Sequence, residues 1–451
     1  MSTPASKLVC AGCASSPGPR DPYPFRCPRH RDGDVDHVLR RDLATDGLRF
    51  PDSGAADPCP FVSYRGFLHS YHRALAGGMS DGAFVELVRR LDSAVARVDG
   101  HGFSETPFAR SAVLSGALGF AEPGGVWVKD ETGNVAGSHK ARHLMGVALH
   151  LEVAGALGLA PRGERATLAV ASCGNAALAA GVVAAAVGWP LRVFVPVSAD
   201  EGIVRRLREL GAEIVVCERR PGASGDPTYV RLLAELDKGA LAFTCQGNLN
   251  GLAIEGGETL GYELVSQLAG DGLTLDHLVV QVGGGALASS CAQALAESHA
   301  LGALGDLPRL HTVQTAAAHP LERAWKRVRE ELADPSDPDA LARVLASAAK
   351  RRSVFMWPWE SEPHSVAEGI LDDETYDWLA VVAAMLETGG ESVVVDEARL
   401  VGAHKLGREA GYAVSATGSA GLAGLVELMA VGAVAPTERV AVLFTGIERA
   451  A

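Results

Sequence analysis

The chain has 451 residues, too many for one small core, so two or three folding units are expected. Its 41 Lys and Arg against 54 Asp and Glu leave a formal net charge of −13, which argues against nucleic acid or an anionic membrane surface as partner. With 47% hydrophobic and 21% charged residues the composition is that of a globular protein and names no substrate.

The first residues, MSTPASKLVCAGC, hold no apolar core fit for a signal peptide. Residues 1–60, rich in Pro, Arg, Asp and Gly, read as an N-terminal arm or a small, ligand-stapled module. Within it Cys10, Cys13, Cys27 and His30 are spaced C-x2-C-x13-C-x2-H. Three thiolates and an imidazole at such spacing can close a tetrahedral zinc site, with Cys59 as a spare ligand; the alternative is four unrelated residues. Cys173, Cys217, Cys245 and Cys291 are scattered through apolar segments, as reduced core cysteines are, so no secreted disulfide framework is expected and the location reads as cytoplasmic.

From about residue 80 a helical period appears in DGAFVELVRRLDSAVARV. Short apolar runs then alternate with helices: the strand VWVKDE and a helix over 138–157, the strand ATLAVAS and a helix over 175–187, the strand LRVFVPV and the helix EGIVRRLRELG. The strand EIVVCE and the helix PTYVRLLAELDKG come next, followed by LDHLVVQVGGGALASSCAQALAE as strand, glycine turn and helix. RLHTVQT, ESVVV and ERVAVLF supply three late strands, and LADPSDPDALA (332–342) reads as a surface linker. Such alternation predicts an α/β fold with parallel sheet covered by helices. Residues 176–197 are apolar enough to suggest a membrane span, but an Ala-rich helix broken at Gly188-Trp189-Pro190 and followed by a buried strand explains them better.

Three glycine-containing turns each follow a strand and open a helix: GSHKAR, ASCGNAALAAG and VGGGALASS. Turns of this kind lie at the carboxyl edge of a parallel sheet, where ligands bind. Gly283, Gly284, Gly285 and Ala286 would let a backbone approach a phosphate at a helix start, though a tight packing turn reads the same way. Neither a GxGxxG nor a Walker pattern is present, so a nucleotide is not the natural guest.

In this order the three turns resemble the tryptophan synthase β-subunit group of pyridoxal-phosphate (PLP) enzymes, which includes threonine synthases, serine/threonine dehydratases, serine racemases and cysteine synthases. The resemblance spans residues from about 100 to 446. It implies two domains with PLP in the cleft between them: a large PLP-binding domain from 61–134 and 270–451, and a smaller α/β domain, 135–269, with the Asn loop. Lys140 would form the Schiff base and then remove the substrate's α-proton. Asn175 would meet the cofactor's ring hydroxyl, Ser172 and the amides of Cys173, Gly174, Asn175 and Ala176 the substrate carboxylate, and the 283–286 turn the phosphate. In VSATGSAGLAGL, Thr417, with Ser419 as fallback, would face the pyridine nitrogen; a hydroxyl there suits α,β-chemistry better than transamination. Glu368 of HSVAEGI would lie near the ring or merely cap a helix.

The N-terminal cysteines resemble those of many threonine synthases and cysteate synthases, whereas the glycine loop and AEGI look more like a dehydratase. The usual SFKDR is SHKAR here, putting His139 in place of an aromatic and Ala141 in place of an acid. His139 would then either shuttle protons near neutral pH or fill space; Cys173 would act as acid or base, or simply fit. Lys129, Arg142, His143 and Lys405 are the candidates for holding a phosphorylated substrate. The expectation is elimination or replacement at the β- or γ-carbon of an amino acid, threonine synthase-like, through an aminoacrylate-type intermediate. The alternatives are a serine/threonine ammonia-lyase and a non-catalytic binding protein on a PLP fold. The partner implied is a small amino acid, with no nucleic acid and no membrane, and the resemblance implies a homodimer.

Overall fold

A computed structural model describes residues 5–51, 57–160, 165–219, 225–332 and 337–449. Its strands are β1 (Ser6–Cys10), β2 (Leu39–Leu43), β3 (Phe108–Arg110), β4 (Gly125–Asp130), β5 (Leu168–Ala171), β6 (Leu191–Pro196), β7 (Glu213–Cys217), β8 (Leu241–Ala242), β9 (His277–Gln281), β10 (Arg309–Thr315), β11 (Ser392–Val395) and β12 (Arg439–Phe444). They form three sheets: the antiparallel pair β1-β2, a six-stranded sheet β11-β10-β9-β12-β4-β3, and a four-stranded sheet β7-β6-β5-β8. The four-stranded sheet is wholly parallel and lies within 135–269, whereas the six-stranded one draws on both sides of that stretch. Only the edge strand β3 runs antiparallel in the larger sheet.

The central strands explain their own position. HLVVQ of β9 is buried at every residue, as a strand covered by helices on both faces must be. The helix Ala253–Asp271 is buried along most of its length and crosses the helix Lys140–Ala156 at backbone contact. A Cβ on Gly146 would lie 2.8 Å from Gly256 Cα, and one on Gly256 would collide with the Arg142 carbonyl. The glycines of LAIEGGET are therefore packing residues that bring two helices together under the site. The Ala-rich helix Asn175–Val187 is buried in the smaller sheet's core, and among the described residues no helix is long and apolar enough to cross a membrane.

Two expectations change. The stretch 332–342, of which 333–336 lie outside the described residues, is not simply a linker. The side chain of Asp337 caps a helix over Pro338–Ala348, accepting from the Asp339 amide at 2.9 Å. The Asp-Pro pair that resembled a surface connection is a helix start, with an oxygen cap and proline in the first turn. The N-terminal module also carries the two-stranded ribbon β1-β2, pinned to the core by Arg41. This buried guanidinium donates to Glu258 at 2.5 Å and to Glu297 at 2.7 Å.

Candidate active site

Lys140 is the first residue of its helix, and the turn that delivers it is strapped to the chain beyond β12. Gly137 takes φ +66°, and a Cβ there would sit 2.6 Å from Ile447 Cγ2, so only glycine fits. Ser138 bridges Gly446, the Ile447 amide donates to Gly137 O at 2.9 Å, and the His139 amide donates to Thr445 O at 3.1 Å. The lysine itself is half-buried, and its positive charge opposes the rise that burial imposes on the carboxyls of Asp372 and Asp377.

Around this turn three buried polar atoms have no partner among the described residues: Ser138 Oγ, His139 Nε2 and His143 Nε2. Orphaned groups of this kind cost on the order of 1–3 kcal/mol each unless something else satisfies them. His139 Nδ1 donates to Thr445 O at 3.1 Å, which leaves Nε2 as the acceptor of a neutral ring. Burial holds that ring well below the usual histidine range, with Lys140 and His143 adding to the effect. The ring therefore rests neutral near neutral pH and offers Nε2 as an acceptor.

Asn175 opens its helix on the smaller sheet, after Gly174, whose amide donates to Ser172 Oγ at 3.4 Å. Its Oδ1 accepts from Arg449 at 3.1 Å, and the same guanidinium donates to Ala136 O at 2.7 Å. Arg449, which the motifs did not single out, thus joins the asparagine turn to the lysine turn. Cys173 is solvent-reachable at the lip of its loop. Desolvation pushes its thiol up and Glu368 pushes it further, so it is a thiol and not a thiolate.

Thr417 Oγ1 accepts from the Gly369 amide at 3.0 Å, and its own O–H has no acceptor among the described residues. Ser419, the fallback, donates to Ser415 O at 3.0 Å and to Ala416 O at 3.3 Å, so its proton is already used. Gln281 ties the Thr417 turn to the lysine strap, donating to Gly418 O and to Thr445 Oγ1, both at 2.7 Å.

The glycine turn after β9 opens the helix Ala286–Ala300 through Gly285 at φ +96°. It is enclosed by a segment that the sequence motifs reach only at Glu368. Thr375 Oγ1 donates to Gly283 O at 3.0 Å, the Asp377 amide donates to Gly284 O at 3.1 Å, and the Asp372 carboxylate sits against Gly283 with the Gly284 N–H donating toward it. The signal was present in LDDETYD, where four carboxylates fall within six residues.

Two proposed phosphate receptors are consumed elsewhere, and this is a correction. Lys129 donates to Glu263 at 2.8 Å, and Arg142 donates to Glu131 at 2.9 Å and to Glu263 at 2.7 Å, all four side chains fully buried. Lys405 is exposed beside Glu409, and His143 Nδ1 donates to Ala253 O at 2.7 Å. The N-terminal ligand set also differs from its sequence reading. Cys10, Cys13 and Cys27 gather with His37, their ligand atoms all within 4.8 Å of one another, while His30 uses Nδ1 on Cys27 O at 3.0 Å. The ribbon decides this: Cys10 pairs with Leu39 across β1-β2, which carries His37 past the cysteines. Cys59 lies outside the set, in the hydrophobic core.

The group present fits a pyridoxal phosphate. It offers an amine at a helix start, buried N and O atoms beside it without a partner among the described residues, a threonine hydroxyl, and a glycine turn that opens a helix. Comparison with known proteins points the same way. A family model described as pyridoxal-phosphate dependent enzyme matches residues 101–446. The threonine synthase of Methanocaldococcus jannaschii is 23% identical over 343 residues, which span 76% of this chain and 74% of that protein. In fold, the chain is similar to a T.th. threonine deaminase (TM-score 0.56, 22% identity, 80% of this chain and 98% of that one). It is also similar to maize serine racemase (TM-score 0.56, 18% identity, 80% and 94%).

Proposed function

The chain belongs to the pyridoxal-phosphate dependent enzymes, and from that premise we propose that it eliminates or replaces a group at the β- or γ-carbon of an amino acid. The observation that carries this reading is the joining of three turns: Lys140 strapped to 445–447, Asn175 tied to the same strap through Arg449, and Thr417 tied to it through Gln281. When bound, the cofactor supplies an electron sink conjugated to the substrate's Cα. Lys140 Nζ would carry it and take the α-proton, while Ser172 and the 173–176 amides orient the carboxylate. The Thr417 O–H would face the ring nitrogen as a neutral donor, and Gly283–Ala286 would hold the phosphate. The Cys173 thiol, kept protonated, can pass a proton to a departing hydroxyl.

Within this class a threonine synthase-like reaction requires a receptor for the substrate's phosphate, and two of the candidate cations, Lys129 and Arg142, are already paired with Glu131 and Glu263. That observation favours the second reading, a serine/threonine ammonia-lyase acting on an unphosphorylated hydroxy amino acid. Supplying amino acids singly, with and without an added nucleophile, tests both. Ammonia and a keto acid from L-serine or L-threonine support the lyase; inorganic phosphate and a new amino acid from a phosphorylated substrate support the synthase. A protein that loads pyridoxal phosphate yet turns over no amino acid would overturn both.

The Cys10, Cys13, Cys27 and His37 set supports a structural zinc. Cys13 Sγ and Cys27 Sγ are 3.5 Å apart, close to the roughly 3.8 Å edge of a tetrahedron with Zn–S bonds of about 2.3 Å. His37 Nε2 donates to Asp32 O at 2.9 Å, which turns Nδ1 toward Cys10 Sγ at 3.5 Å. Protein expressed with zinc is expected to contain about one equivalent, and chelation to lower its thermal midpoint by several degrees. Metal-free protein whose melting ignores the chelator would refute the assignment.

A further inference from the structure

We propose that the chain carries its own competitor for the phosphate cradle, the carboxylate of Asp372, which has to leave the glycine turn before a phosphate monoester can seat there. The proposal rests on the cofactor reading above and deepens it by naming what loading must displace.

The geometry is specific. A Cβ on Gly283 would collide with Asp372 Oδ2 and lie 2.9 Å from Ile370 Cα, and a Cβ on Gly284 would lie 3.7 Å from Asp372 Oδ1. The Gly284 N–H donates toward the same carboxylate, and the positive charge of Lys140 favours its ionised form. An amide nest at a helix start beside a lysine receives anions, and here it has received one from its own chain. A phosphate dianion and a carboxylate cannot both sit against Gly283 and the Gly284 amide, since like charges so close disfavour joint ionisation.

The anchors on either side show which residues can yield. Upstream, the Gly369 amide is held by Thr417 Oγ1 at 3.0 Å. Downstream, Thr375, Asp377 and the Gly247 amide, which donates to the Asp377 carboxylate at 3.3 Å, fix the chain to the glycine turn. Between them Leu371–Glu374 forms no helix or strand, and Asp373 O accepts from the Trp359 amide at 3.0 Å. The displacement thus falls on the stretch between these two clamps, at whose far end Arg352 also holds the Glu374 carboxylate. Burial pushes the Asp372 carboxyl up to about 6, Lys140 and the Gly284 amide opposing the rise and Asp373 and Asp226 adding to it. At pH 8 it is ionised.

The test uses full-length protein freed of cofactor at pH 8, as wild type, Asp372→Asn and the neighbouring control Asp373→Asn. Inorganic phosphate and pyridoxal phosphate are titrated by calorimetry, with pyridoxal, which lacks the phosphate, as the comparison. Asp372→Asn is expected to bind both phosphate-bearing probes roughly tenfold more tightly, a shift of about 1.4 kcal/mol, with pyridoxal unchanged and Asp373→Asn within about twofold of wild type. Equal or weaker phosphate binding by folded Asp372→Asn overturns the proposal. Should that variant fail to fold, hydrogen exchange on wild type decides: saturating phosphate should speed exchange at 371–374, and added protection there would refute displacement. Absence of a Lys140-dependent visible band, with the phosphate gain retained, would sink the cofactor reading while supporting the resident anion.

Discussion

Replacing Lys140 by Ala is expected to abolish the visible band of bound pyridoxal phosphate and to lower turnover by on the order of 10⁴-fold or more, with thermal stability close to wild type. The side chain is half-buried, and its removal empties no apolar core. What it removes is the only amine the strap delivers, a nucleophile toward an aldehyde and then a base at Cα, and general base action alone is worth about 10²–10⁴. Lys140→Arg should be as inactive, because a guanidinium keeps the positive charge but stays protonated and cannot attack. The pair of variants therefore separates covalent chemistry from electrostatics: a merely electrostatic lysine would be rescued by arginine. A Lys140→Ala protein that retained a visible band sensitive to borohydride would place the cofactor on another amine and remove the basis of the proposed function.

The sheet strands and the three turns were legible because a parallel strand is covered on both faces and reads as a nearly continuous apolar run, as VFV within LRVFVP and VAVLF do. Strands without that cover were not: β3 is the three-residue edge FAR, and β8 spans only Leu241–Ala242. At the site, the motif residues Lys140, Asn175 and Gly283–Ala286 could be picked out because each sits at a strand-to-helix turn with glycine beside it. His37 could not be chosen over His30 from spacing, since the choice depends on the register of two short strands well separated in the chain, pairing Cys10 with Leu39. Arg142 and Lys129 looked available because a sequence shows charges but not their partners; Glu263, which neutralises both, lies far along the chain. Asp372 escaped for a similar reason: LDDETYD displays an acidic loop, but not the distant glycine turn onto which it folds.

Arg142→Met should destabilise the protein by about 3–5 kcal/mol, and it decides whether the arginine of GSHKAR is a structural or a substrate-binding residue. Arg142 donates twice to Glu131, twice to Glu263 and once to Thr259 Oγ1, at 2.7–3.1 Å. Lys129 supplies the second cation, so two positive and two negative side chains are buried together and balance. Removing Arg142 leaves Glu131 with only Asn134 Nδ2, at 2.7 Å, and the Thr106 hydroxyl, which is too little to hold an ionised carboxylate away from water. The cost should appear in the first urea unfolding transition, and a second change, Glu131→Gln, should restore part of it, since it removes the charge left without a cation. Because Arg142 lies two residues after Lys140 on the same helix, affinity for pyridoxal phosphate should fall together with stability. If Arg142 instead received a substrate phosphate, the variant would unfold like wild type and show only a raised KM for the phosphorylated substrate, and that pattern would restore the synthase reading at the expense of the lyase.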